Sequence, residues 1–184
     1  MQEESKKNGP LVWMDLEMTG LDIANDVILE VATIITDGNL TVIAQGPVCV
    51  IHQSERRLAA MNEWCQKHHT QSGLVDAVRT STSTIEFAQA TTLRFIQEHC
   101  EPQTAVLCGN SIWQDRLFLA RHMPDVVNYL HYRMVDVSSF KNIIRRWYPH
   151  DKHTEFKKTD THRAYTDIQE SIAELKHYRK YFFV

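Results

Sequence analysis

The sequence predicts an α/β domain, a mixed sheet with helices on both faces. Three observations carry this. Three short apolar strands open the chain with tight connections, helices and strands alternate after them, and no internal repeat, low-complexity tract or interdomain linker interrupts the 184 residues. That length suits one domain. Residues 1–10 are polar and read as a disordered lead, which leaves 11–184 as the domain.

The strands are LVWMDLE (11–17), VILEVATIITD (27–37) and LTVIAQGPVCVI (40–51). Asp37-Gly38-Asn39 is a hairpin signal, so the sheet begins antiparallel. A helix is expected over 54–70, with Leu58, Met61 and Cys65 on its apolar side. Ser83 and Glu86 form a capping box for the next helix, which runs through Ala88, Thr92 and Ile96 to about His99 and stops before Pro102. TAVLCGN (104–110) reads as a buried strand, and a helix follows from about Trp113 to Met123, broken by Pro124. RMVDV (133–137) is a short strand and 138–148 a helix ending at Pro149. The polar stretch 150–161 is a loop, and its charge and lack of glycine suggest a mobile flap. A last helix runs from about His162 to Tyr181.

Composition narrows the function. Hydrophobic content of 43% and charged content of 23% are ordinary for a globular protein. With 20 basic and 23 acidic residues the formal net charge is −3, which argues against a massed basic surface for long nucleic acid. A nucleic-acid enzyme stays open, because a divalent metal supplies positive charge locally. The four cysteines, Cys49, Cys65, Cys100 and Cys108, form no CxxC pair, so neither a zinc knuckle nor a redox motif is written here. The polar start is no signal peptide, and no apolar run approaches the ~18 residues of a membrane span. A soluble cytoplasmic protein is expected.

The chemistry lies in carboxylates. Asp15 and Glu17 are two apart on a strand and point to one side, away from Val12, Met14 and Leu16. Two adjacent carboxylates repel unless a cation neutralises them, and a divalent ion with oxygen ligands answers that need. Asp115 lies in the first turn of a helix and Asp167 at the edge of the apolar stripe of the last one. His162 stands just before that helix and is suited to take a proton near neutral pH. Each has a plainer reading: a solvated strand edge, a helix-dipole acid, a carboxylate salt-bridged to arginine, a surface histidine.

The ordered series Asp15, Glu17, Asp115, His162, Asp167 resembles the DEDDh 3′–5′ exonucleases. The strings VWMDLEMTGLD (12–22), HTQSGL (69–74), GNSIWQDR (109–116), HYRMVDVSS (131–139) and THRAYTDIQESIAEL (161–175) are similar to the oligoribonuclease branch over nearly the whole chain. That resemblance implies a ribonuclease-H-like, mixed five-stranded sheet whose first three strands are antiparallel. It implies two divalent cations, Mg²⁺ or Mn²⁺. Asp15, Glu17 and Asp167 would hold the ion that binds the attacking water; Asp15 would bridge to a second ion, held also by Asp115; His162 would be the general base.

The resemblance further implies a homodimer acting on short single-stranded RNA oligonucleotides and dinucleotides, with no membrane partner. Leu21 would wedge between bases, Trp64 and His69 would contact the 3′-terminal nucleotide, and Ser111 and Gln114 would hold the 5′ phosphate, with Tyr132 and Arg133 supplied by the other subunit. A short substrate offers few phosphates, so base stacking must supply much of the affinity. At Trp113 the family often has glycine, and the ring either packs outward or reshapes the phosphate pocket. Two other readings compete: a proofreading-type DEDDh exonuclease on single-stranded DNA or RNA ends, and an inactive RNA-binding scaffold.

Overall fold

A computed structural model of the chain describes residues 9–159 and 162–183. Residues 1–8 of the expected lead lie outside the described residues; Gly9 sits against the Thr104 backbone. The strands are β1 (Leu11–Met18), β2 (Ile28–Thr36), β3 (Val42–Val50), β4 (Val106–Gly109) and β5 (Met134–Asp136). They form one sheet in the order β3-β2-β1-β4-β5. β2 is antiparallel to β1 and β3, whereas β4 is parallel to both β1 and β5. The mixed five-stranded sheet with an antiparallel start is therefore as expected. Asp37 closes the first hairpin by accepting from the Asn39 and Thr41 amides, both at 2.8 Å.

The helices are α1 (Glu55–Ala59), α2 (Glu63–Gln71), α3 (Leu74–Thr80), α4 (Ile85–His99), α5 (Ile112–His122), α6 (Pro124–Tyr129), α7 (Val137–Trp147) and α8 (Ala164–Phe182). Strand alternation splits β1 between two cores. Val12, Met14 and Leu16 pack with Val31, Ile35 and residues of α4, α5 and α6. Trp13 faces the other way, with Ala32, Ile34 and the inner sides of α7 and α8. Asp15 and Glu17 continue that second face, so α8 lies over the end of β1 that carries them. A third cluster, built on Leu29, Leu58, Met61, Leu74 and Val78, seats α1 and α3.

Three expectations need correction, and the break expected at Pro124 holds and is extended. The stretch 54–70 is two helices, because the Asn62 side chain accepts from the Cys65 amide at 2.8 Å and starts α2 afresh. Leu58, Met61 and Cys65 all stay buried in one cluster, so their spacing alone cannot report the break. The cap of α4 is Thr84 rather than Ser83; Thr84 accepts from the Phe87 amide, and the Ser83 carbonyl accepts from His52. Pro124 stops α5 and also opens α6, where its missing N–H costs nothing at the first position. Finally, the loop after α7 is pinned rather than free over its described residues. Thr154 is buried, Glu155 pairs with Arg145 at 2.6 Å, His153 stacks on Tyr181 at 3.7 Å, and Lys158 pairs with Glu174 at 3.0 Å. Among the described residues, no helix is long and apolar enough to cross a membrane.

Candidate active site

β1 delivers Asp15 and Glu17 to the side covered by α8, and the ladder with β2 shifts register just after Glu17. Asp167 projects from the first turn of α8. One carboxylate oxygen from each of Asp15, Glu17 and Asp167 lies within 4.8 Å of the other two. Asp115, in the first turn of α5, accepts from the Leu16 amide at 3.0 Å, so it is tied to the strand residue between Asp15 and Glu17. The helix-dipole reading of Asp115 therefore misses its main partner. Among the described residues Asp167 has no arginine ion pair.

His162 lies in the loop before α8 with φ +51°, outside the helix that carries Asp167. Its ring meets the Trp64 ring edge-on at 5.3 Å and the His68 ring at 4.8 Å, and Trp64 stacks on His68 at 4.0 Å. This aromatic trio joins the loop to α2, and Trp64 also lines a cavity that Glu17 borders.

Electrostatically the carboxylates of the cluster repel one another. Burial, then Asp115, Glu17 and Asp167, hold the Asp15 carboxyl well above the usual carboxylate range. Burial, then Asp167, Glu30 and Asp115, push Glu17 up to about 8. Burial pushes Asp115 up to about 7, and burial followed by Glu170 raises Asp167. Lys158 opposes the rise at Asp15 and Asp167, and Arg163 opposes it at Glu17. Four converging carboxylates that resist ionising in one another's company are hard oxygen ligands, and this donor set fits divalent cations.

Beside the carboxylates a cavity of about 420 Å³ is lined by Glu17, Gly20, Leu21, Trp64, Cys65 and His69 among others. A Cβ on Gly20 would fall 2.4 Å from the Asp26 carboxylate, so a larger residue there would displace a group that accepts from the Thr19 hydroxyl and the Asp22 amide. Leu21 is 68% exposed and Trp64 53% exposed, large apolar groups left open at this rim. His69 is only 1% exposed: its Nε2 donates to the Met18 carbonyl at 2.9 Å, and its Nδ1 sits 3.7 Å from Glu17. Burial lowers its proton affinity.

Ser111 opens α5 in the left-handed region, with its amide donating to Asp136 at 2.9 Å. Gln114 donates to the Leu21 carbonyl at 3.2 Å and so ties α5 to the rim. Trp113 is exposed and does not line the cavity, which favours outward packing. Tyr132 and Arg133 are exposed and precede β5, whereas Asp136 at its other end meets Ser111.

Sequence reasoning missed Glu30, Lys158, Arg163 and Glu174. Each acid had a visible signal, a lone charge inside an apolar strand or an apolar helix stripe, whereas Lys158 and Arg163, which pair with them, come from a loop with no period to read.

The exonuclease family model of the RNase T type matches residues 12–175. The oligoribonuclease of Shewanella loihica is 53% identical over 173 residues, covering 94% of this chain and 95% of that one. The chain belongs to the oligoribonuclease family. Other oligoribonucleases agree: that of Acinetobacter baylyi is 49% identical over 180 residues, covering 98% of each chain, and that of Pseudomonas aeruginosa is 52% identical over 172 residues, covering 94% of this chain and 95% of that one. Among solved structures, E. coli exonuclease I in complex with an oligonucleotide superposes with a TM-score of 0.69 at 14% identity, over 94% of this chain. The oligoribonuclease-family chain spans only 41% of that larger chain, so the likeness concerns the ribonuclease-H-like fold alone.

Proposed function

We propose that the chain is a 3′–5′ exoribonuclease that hydrolyses very short RNA, dinucleotides included, to 5′-mononucleotides with Mg²⁺ or Mn²⁺. The convergence of Asp15, Glu17 and Asp167 within 4.8 Å carries this reading. Full-length kinship with oligoribonucleases supports the choice of short RNA.

Asp15, Glu17, Asp115 and Asp167 would hold the cations. When bound, these supply positive charge against the phosphoryl oxygens and acidify water. The chain's own groups do the rest. His162 accepts the proton of the attacking water as the new phosphorus–oxygen bond forms and the bond to the 3′-oxygen breaks, and the departing 3′-oxygen takes a proton from solvent to become a hydroxyl. Leu21 and Trp64 present apolar surface to the terminal bases, where stacking is worth about 1–3 kcal/mol per base. His69, buried and bonded to Met18, fixes the floor beneath the 3′-terminal nucleotide. Ser111 and Gln114 face the 5′ phosphate.

The same reading includes a homodimer. Tyr132 and Arg133 stand at the far end of β5 from their own Ser111, which suits delivery to a partner's site. The outer edge of α7 supports self-association, because Trp147 is 70% exposed beside Ile143, Tyr148 and Phe183. All four cysteines are unpaired and buried, which supports a reducing, cytoplasmic setting.

The deciding assay compares an RNA dinucleotide, a DNA dinucleotide and a long single-stranded RNA in Mn²⁺. The RNA dinucleotide should be cleaved fastest, to 5′-mononucleotides, and His162→Ala should cut that cleavage steeply to a small residual rate while keeping Mn²⁺ binding. Preference for long strands or for DNA would contradict the assignment.

A further inference from the structure

Glu30 lies directly across the β1–β2 ladder from Glu17, so the two side chains share a face of the sheet. Glu30 is completely buried. Its carboxylate accepts from Arg163 Nε at 3.1 Å to each oxygen, from Arg163 Nη2 at 2.6 Å, and from the Ala164 amide at 3.0 Å. A two-pronged guanidinium grip of this kind fixes direction as well as distance. It seizes two consecutive residues at one corner of the chain.

His162 is the residue just before that corner. It sits at φ +51°, a conformation that a residue with a Cβ does not keep without surrounding support. On the other side, the Asp167 amide donates to the Arg163 carbonyl at 3.1 Å, so the same corner sets the first turn of α8.

We propose that Arg163 is a positioning residue: gripped by Glu30, it fixes the His162 turn so that the imidazole faces the carboxylate cluster. This rests on the reading of His162 as the base. Arg163 itself need touch neither substrate nor metal, because Glu30 occupies its fork.

The test is a double-mutant cycle on the full chain with an RNA dinucleotide and Mn²⁺, using Arg163→Ala, His162→Ala and the pair. Arg163→Ala should lower kcat on the order of 10- to 100-fold, the scale of a misplaced reacting group. KM and Mn²⁺ affinity should stay within about twofold, and adding Arg163→Ala to His162→Ala should cost less than about twofold more, since no base remains to be placed. Equal losses in both backgrounds, an unchanged kcat in the single variant, or Mn²⁺ affinity falling in step with kcat would overturn the proposal. Should Arg163→Ala not fold, Arg163→Lys keeps the charge without the fork and must show the same non-additivity in smaller measure. A His162→Ala variant as active as the parent would instead sink the base assignment, and the positioning role with it.

Discussion

Glu17 and Glu30 stand opposite each other on β1 and β2, yet their charges are met in opposite ways. Glu30 is gripped by Arg163, while Glu17 lies among Asp15, Asp115 and Asp167. The same sheet face thus holds one acid satisfied by the chain and a cluster left for cations to satisfy.

That contrast sets a pH dependence. Glu17 rises from an ordinary 4.5 to about 8, and Asp115 from 3.8 to about 7, burial being the first cause of each. In chelator the folded chain keeps protons that the unfolded chain has already lost. Stability from these groups therefore falls as pH climbs from about 4.5 to about 8. Scanning calorimetry at steps across this window should show the parent losing ground to Glu17→Gln as pH increases. Mn²⁺ should restore stability most at the alkaline end, where its ligands ionise readily. A gap between the two proteins that does not change with pH would contradict the burial and repulsion assigned to Glu17.

Asp15→Asn should separate stability from activity. It removes one of several mutually repelling carboxylates, so the metal-free variant should be more stable than the parent by about 1 kcal/mol, as happens when a site strained for function is relaxed. The same variant should lose thermal stabilisation by Mn²⁺ and about a thousandfold or more in rate. Calorimetry with and without Mn²⁺, beside a turnover assay, checks both halves; a destabilised apo variant would argue against repulsion at Asp15.

Most of this architecture is legible in the amino-acid sequence. The alternation of Val12, Met14 and Leu16 with Asp15 and Glu17 states which face of β1 is core and which is chemical, and the structure splits the strand that way. Of the four carboxylates read as a set, Asp15, Glu17 and Asp167 are brought within 4.8 Å of one another, and Asp115 is tied to the Leu16 amide between the first two. What stays hidden depends on contacts between distant segments. The break at Asn62 hides because Leu58, Met61 and Cys65 fit one helical period across two helices. The pinned loop hides because its polarity, which suggests mobility, is spent on Arg145 and Glu174. Arg163 reads as one more charge until Glu30, 133 residues away, is placed beside it.

Glu174 anchors that loop and should be costly to remove. It is fully buried and bonded to Lys141 at 2.9 Å, Lys158 at 3.0 Å, Asn110 at 2.9 Å and Tyr178 at 2.8 Å. Glu174→Ala leaves two ammonium groups without their carboxylate and should destabilise the chain by about 3–5 kcal/mol, measured by urea unfolding. A loss under about 1 kcal/mol would mean that water replaces the carboxylate easily.

The rim residues should act on binding rather than chemistry. Leu21→Ala and Trp64→Ala should each raise KM for an RNA dinucleotide about tenfold or more, with kcat changed far less. Arg133→Ala should weaken dinucleotides much more than longer RNA, because a cap on the 5′ phosphate matters most when few other contacts exist. Steady-state kinetics on both lengths decides this, and equal losses would remove the cap.

The most direct measurement is anomalous diffraction at the manganese edge from crystals soaked with Mn²⁺ and an RNA dinucleotide. Two peaks flanked by Asp15, Glu17, Asp115 and Asp167, with the His162 ring beside them, are the predicted result. Manganese bound elsewhere, or those carboxylates engaged by arginine or lysine with no peak among them, would contradict it.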